Sequence, residues 1–306
     1  MDVVQPSPAP TAPSAPSTSP ASRSRGSDRS LAAVAAAQVG RLVLYVLLIA
    51  LLVAVLYPLF WMVMTGFKTN QELFGNAWGL PGALRWENFA DAWDQGVVRY
   101  LLNSFVVTAG SVLTTVGISS LAAYALTRMR LPFSTPLTLA ILGGMMLSPT
   151  VALIPLFRLI QALGIFDTYW ALIVLYTAFR IPFTVFLIRA YMITISREME
   201  DAAIVDGAGR WGIFWHVILP LSRPIIISAS LLHALFAWNE FMFALVFINN
   251  QDLKTLPVGL LDLQSRFLTD YPVMFAGLTI AAMPMIVVFV LGQRQFIRGL
   301  AEGYGK

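Results

Sequence analysis

Residues 42–67 read LVLYVLLIALLVAVLYPLFWMVMTGF, a run without one charged side chain. A helix crossing a bilayer needs about 20 mostly apolar residues, and this run supplies them with margin. Working outward, residues 100–127, 131–157 and 271–293 are also free of charge. Two further apolar segments each hold ionisable groups: Arg180 in 169–188, and His233 with Glu240 in 224–248. The pattern predicts six spans, near 42–65, 103–126, 137–157, 169–188, 224–248 and 271–293. The whole chain of 306 residues agrees, with 58% apolar and 12% charged residues. Soluble domains carry about 25% charge, and one with so little would expose large apolar patches. The reading is an all-α membrane protein.

Residues 1–40 differ from the rest. In residues 1–30, Pro6, Pro8, Pro10, Pro13, Pro16 and Pro20 sit among Ser and Ala, without an apolar run. Such a segment cannot offset its ordering entropy, so the expectation is a disordered tail with a basic end at Arg23, Arg25, Arg29 and Arg41. The apolar run behind it is too long for a secretory signal core and lacks a small-residue cleavage site, so it reads as an uncleaved first span. The chain has no cysteine, which excludes disulfides and thiol chemistry; His216 and His233 are its two histidines, and no metal site is expected. A net charge of +4 brings no basic face, because the charges mark span ends; no nucleic-acid partner is expected.

Orientation follows from the 20 Lys and Arg. With residues 1–40 inside, 13 of them lie in inside segments, 6 in outside segments, and Arg180 within a span. That is the positive-inside bias, and it places both termini in the cytoplasm. Residues 189–223 then form the longest cytoplasmic loop. Its stretch from Ser196 reads SREMEDAAIVDGAGRWGIFWHVILP, ending at Pro220. Ser196 suits an N-cap and Glu198, Glu200 and Asp201 suit a first helical turn. Asp206-Gly207 supplies a break at which Gly takes positive φ cheaply. A short helix, a break and a second helix are expected over 194–220. Ala202 and Ala203 leave room for another protein to approach, and Ile204, Val205 and Phe214 add apolar area that a solvated loop does not need.

This loop resembles the EAA motif of binding-protein-dependent ABC importer permeases: Glu-Ala-Ala, a Gly four residues after the second Ala, and an Ile-x-Pro ending. Ala202, Ala203, Gly207, Ile218 and Pro220 match, and Asp201 stands where the motif has its first Glu. Tyr57-Pro58, Asn103-Ser104, the stretch Gly164 to Thr168, Trp238-Asn239-Glu240 and Arg298-Gly299-Leu300 resemble the maltose-type carbohydrate branch, so the likeness runs over about residues 40–306. The resemblance implies the type I ABC importer permease fold, with six transmembrane helices in residues 41–293 and a cytoplasmic tail at 294–306; that basic, Gly-rich tail either reaches an ATPase interface, as in maltose-type permeases, or is a frayed terminus attracted to lipid headgroups. It implies an inner-membrane permease for a carbohydrate or related sugar derivative. Its partners would be two ATPase subunits binding ATP and Mg, a second, homologous permease chain, an extracytoplasmic solute-binding protein, and membrane lipid. Glu200, Asp201, Ala202, Ala203, Asp206, Gly207, Phe214, Ile218 and Pro220 would form the coupling helix region, with Ala203 facing the ATPase socket.

The chain itself offers no P-loop: its lysines are Lys68, Lys254 and Lys306, and its one Gly-Lys pair is 305–306. It is not expected to be an enzyme or to hold a cofactor. A lone charge within a span costs about 3 kcal/mol, so Arg180 and Glu240, with Asn239 beside it, should line a pore, meet a partner or pair with each other. His233 reads as a packing residue. Trp78, Trp86, Phe89 and Trp93 either dock a solute-binding protein or form an interfacial aromatic belt. An ion-coupled secondary carrier is the alternative class, but it would need its own coupling charges and usually internal symmetry.

Overall fold

In the computed structural model, residues 25–129, 131–266 and 270–304 are described; side chains within the helices are described over 37–129, 131–261 and 270–293. All regular elements among them are helical. In chain order they are α1 (Arg25–Gly66), α2 (Asn70–Gly75), α3 (Glu87–Ala92), α4 (Val98–Arg128), α5 (Ser134–Gly143), α6 (Pro149–Ala162), α7 (Tyr169–Thr194), α8 (Glu198–Val205), α9 (Arg210–Ile213), α10 (Leu219–Leu221), α11 (Arg223–Asn239), α12 (Met242–Phe247), α13 (Leu256–Arg266) and α14 (Tyr271–Tyr304). Single π turns join α3 to α4 at Trp93–Val97 and α9 to α10 at Phe214–Ile218.

The chain divides into residues 1–59 and 60–306. The first unit holds most of α1. Residues 1–24 of the expected tail lie outside the described residues, whereas 25–40 are helical; Ala32, Ala33 and Ala35 to Ala37 favour that conformation. In the second unit α4 packs along α7, and α11 packs on α14 and α4. In a bilayer no hydrophobic force drives helices together, so close approach of small residues has to do it. Gly110 of α4 shows this: a Cβ there would lie 2.8 Å from Ile173 Cδ1 of α7. One turn on, the Thr114 and Thr177 hydroxyls meet at 2.7 Å.

Among the described residues, four helices are long and apolar enough to cross a membrane: 37–66, 87–128, 169–194 and 271–293. Two bent pairs, each counted as one span, bring the number to as many as six. The expected third span is not straight. The helix over 134–146 meets α6 at 100°, because Gly143-Gly144 weakens the helix and Pro149 starts a new one. The expected fifth span, 224–248, is also interrupted. The helical stretch 210–221 bends by 74° into α11, and α11 ends at Asn239. The expected separate C-terminal tail, 294–306, instead continues α14 as far as Tyr304.

Candidate functional site

The loop between α7 and α11 folds as a short helix, a break and a second helical stretch. Ser196 Oγ accepts the Glu198 N–H at 3.3 Å at the start of α8. At its end Gly207 has φ +82°. The Gly207 N–H donates to Ile204 O at 3.0 Å and the Ala208 N–H reaches back to Ala203 O at 2.9 Å. These are the two bonds of a Schellman cap, whose left-handed residue is usually Gly because a Cβ is strained there. The Asp206-Gly207 break is therefore a helix stop with both orphan carbonyls satisfied.

The loop is fixed to the spans by apolar and polar contacts. Ile213, Phe214 and Ile218 are buried in a cluster with Ala123 and Tyr124 of α4, Ile188 and Met192 of α7 and Ala229 of α11. The Tyr124 hydroxyl donates to Arg210 O at 3.0 Å, and its ring lies 5.1 Å from that of Phe214. Arg128, in the last turn of α4, donates to Met192 O at 2.8 Å and Ile195 O at 2.7 Å. It also pairs with Glu200 of α8 at 2.8 Å.

Several expected roles change on this geometry. Ala203 is half-buried against the chain's own cluster instead of facing outward. Phe214 and Ile218 hold the loop in place and offer no surface. Asp201, Ala202, Asp206 and Gly207 are exposed, as are the apolar side chains of Met199, Ile204 and Val205 and, in α9, Trp211. Val205 is the most open of these, 86% exposed. Pro220 lies in α10, partly buried.

Arg180 and Glu240 do not pair with each other. The Arg180 guanidinium lies 4.7 Å from the Phe183 ring centre and 4.9 Å from that of Phe236, a cation–π sandwich. Glu240 sits at the break after α11. Its carboxylate accepts the Phe243 N–H at 2.9 Å, the Ala244 N–H at 3.2 Å and the Tyr176 hydroxyl at 2.8 Å. It caps α12, which explains why the fifth span breaks where the sequence reading ran it through. Asn239 is exposed and its amide bonds back to Leu235 O at 2.8 Å. His233 is fully buried, 3.4 Å from the Thr115 hydroxyl.

At the opposite ends of these spans, the connection from α12 to α13 is stitched down. Asp167, at φ +59°, accepts the N–H groups of Asn249 and Asn250 at 2.8 and 2.9 Å. The Asn103 amide donates to Asp252 O and Lys254 O, both at 2.8 Å, and accepts the Tyr169 hydroxyl at 2.7 Å. Ser104 Oγ accepts the Leu256 N–H at 2.8 Å, and Arg99 pairs with Asp252. In the segment between α1 and α4, the Thr69 N–H bonds the Glu72 carboxylate and holds that carboxyl below its ordinary value. Trp78, Trp86 and Trp93 are exposed, while Phe89 packs on a buried cluster with Ala92, Val97 and Tyr100.

Residues 30–302 match the family model described as the binding-protein-dependent transport system inner membrane component. The chain belongs to this family of permeases. A probable ABC transporter permease protein of Bacillus subtilis (strain 168), YurM, is 46% identical over 87% of this chain and 88% of its own length. The diacetylchitobiose uptake system permease protein NgcG of Streptomyces coelicolor (strain ATCC BAA-471 / A3(2) / M145) is 31% identical over 82% of this chain and 84% of its own. Among solved structures, a chain of a bacterial ABC transporter involved in the import of the acidic polysaccharide alginate superposes with a TM-score of 0.71. It is 23% identical and matches 91% of this chain and 100% of that one; at that identity the likeness is one of fold.

The permease is thus an inner-membrane transport component and not itself an enzyme. Its family also bears on which residues the sequence reading singled out. Asn103, Ser104, Asp167 and Thr168 were quoted only as likeness to a branch, and the structure shows them holding the permease's α12–α13 connection or, for Thr168, bonding Ile165 O at 2.6 Å. Arg128 and Tyr124 were missed. Arg128 ends a charge-free run, and the acids of 198–201 in the facing loop are the signal that could pair with it. Arg298, Gly299 and Leu300 lie in α14, where side chains are not described.

Proposed function

We propose that this permease is one membrane-spanning half of an ATP-driven importer, carries a carbohydrate or sugar derivative, and takes its drive through residues 194–220. In this reading both termini and the loop are cytoplasmic. α8 seats in a cleft of a separate ATPase subunit, which binds ATP and Mg. The complete importer holds two ATPase subunits, a second, homologous permease and an extracytoplasmic solute-binding protein, surrounded by lipid. The single observation that carries the reading is the shape of α8. It is a capped helix tied through Arg128 to the ends of α4 and α7, yet it leaves Met199, Ile204 and Val205 uncovered, as α9 leaves Trp211. An anchored element with an apolar outer face suits a socket in another protein, since a bare loop gains nothing from exposed apolar area. The carbohydrate class rests on relatives such as the diacetylchitobiose permease.

The mechanism then needs only differential binding. Closure of the ATPase pair favours one position of the seated helix, and a bundle with two arrangements follows it. The ion-coupled carrier is less well supported, because Glu240 is engaged by two backbone N–H groups and a tyrosine. The test is reconstitution with the ATPase and binding protein in proteoliposomes. Expected are co-purification of the ATPase with this chain and uptake that stops without ATP. Uptake driven by an ion gradient, with no ATPase present, would overturn the proposal.

A further inference from the structure

The outward face of α8 has no use unless its movement reaches the spans, and α8 is weakly anchored by apolar contact. None of its residues is buried; Ala203 alone leans on the cluster beneath. Phe214 and Ile218, which do bury area, lie beyond the Gly207 break. What fixes α8 directly is polar. Glu200 is partly buried, and its carboxylate meets Arg128, whose side chain is 5% exposed. The same guanidinium donates to Met192 O and Ile195 O, where α7 ends.

Arginine suits this junction for reasons lysine cannot match. Its planar guanidinium spreads one charge over three nitrogens, so one side chain donates to two carbonyls through one nitrogen while its Nε lies against a carboxylate as an ion pair. The end of α7 carries partial negative charge on its free carbonyls, and the cation answers that charge and the Glu200 charge at once. Removing it leaves the Glu200 carboxylate without its cation and takes a donor from both carbonyls, of which Met192 O retains the Ile195 N–H at 3.3 Å.

We propose that Arg128 is a positioning residue of the transport cycle. It ties α8 to the ends of α4 and α7, so that the three move as one body and displacement of the loop is delivered to two tightly packed spans. Without it, the chain at 195–197 acts as a hinge and absorbs the motion. This inference rests on the proposed ATP-driven function and deepens it.

The test uses the assembled complex in proteoliposomes, with Arg128→Gln, Arg128→Lys, Glu200→Gln and the double variant Arg128→Gln/Glu200→Gln. Uptake and ATP hydrolysis are measured together. Arg128→Gln should retain ATPase in the purified complex, but solute moved per ATP should fall by about tenfold, within the range of measured coupling factors. Arg128→Lys should recover part of the ratio. Glu200→Gln, a near-isosteric change in a helix none of whose residues is fully buried, should lower it a few-fold, and the double variant should be no worse than Arg128→Gln alone because one junction is lost once. An unchanged ratio in both Arg128→Gln and Glu200→Gln overturns the proposal, whether or not total uptake falls. A wild-type chain that binds no ATPase instead defeats the functional reading on which it rests.

Discussion

Gly207 offers the sharpest test of the loop, because its substitution separates backbone strain from crowding. Its φ is +82°, and a Cβ built there meets nothing within 4 Å. Any cost of a side chain is therefore conformational. An L-residue other than Gly, Asn or Asp in this region costs roughly 1–2 kcal/mol, with β-branched residues at the high end. Gly207→Ala should cost about 1 kcal/mol, Gly207→Val about 2, and Gly207→Asn a few tenths, since Asn also serves as a left-handed cap. With about 1.4 kcal/mol per tenfold change in an equilibrium, Val lowers the capped population more than tenfold where Asn barely alters it. The Ala208 N–H, bonded to Ala203 O across the cap, reports this population directly. Its hydrogen exchange should accelerate in the order Asn, Ala, Val, and ATP-driven uptake should fall in the same order. Insertion into the membrane should not change, since residue 207 lies in no span. If Asn is as damaging as Val, the cap is not what matters at this position. If all three variants couple normally, the loop's geometry has no part in transport.

Two further outcomes follow from the same loop and its opposite number. Val205→Asp should leave thermal stability within about 0.5 kcal/mol, as exposed substitutions do, yet reduce ATPase pull-down; Ala203→Asp should instead lower the stability of the chain itself by placing a carboxylate against the apolar cluster. Asp167→Ala should cost about 1–2 kcal/mol by removing a left-handed-tolerant residue and two charge-assisted acceptor bonds, whereas Asp167→Asn should stay near wild type; limited proteolysis within 248–254 would rise for Ala and not for Asn.

Spans were legible wherever periodicity was irrelevant. Membrane helices announce themselves by length and absence of charge, so the runs at 42–67 and 271–293 needed no knowledge of neighbours. Gly207 was legible too, because Asp-Gly after an acidic helical start is a local signal for a left-handed stop. Breaks inside spans were not. Glu240 ends α11 through bonds to Phe243 and Ala244, but its partner Tyr176 comes from another helix, and no spacing along the chain reveals that. The inward turn of Ala203 escaped for a similar reason. Which face of a short helix is covered depends on the span ends beneath it, here Met192 and Ala123.

The few charged and amide side chains near the membrane share one task, which explains why so small a charge complement suffices. Where a helix stops in a water-poor setting, its end groups have no solvent partner and each unsatisfied one is costly. Glu240 answers two N–H groups of α12; Arg128 answers carbonyls at the end of α7; Asp167 answers N–H groups of Asn249 and Asn250; Asn103 answers carbonyls of Asp252 and Lys254. Lys68, buried, does the same for Ala77 O at 2.9 Å. Each of these groups sits at a stop, a bend or a connection, while along the contact of α4 with α7 Gly110 admits Ile173, Thr114 meets Thr177 and Val107 is buried in one cluster with α7 residues. Arg180 stands outside this scheme: it answers no backbone group among the described contacts and lies between two phenylalanine rings.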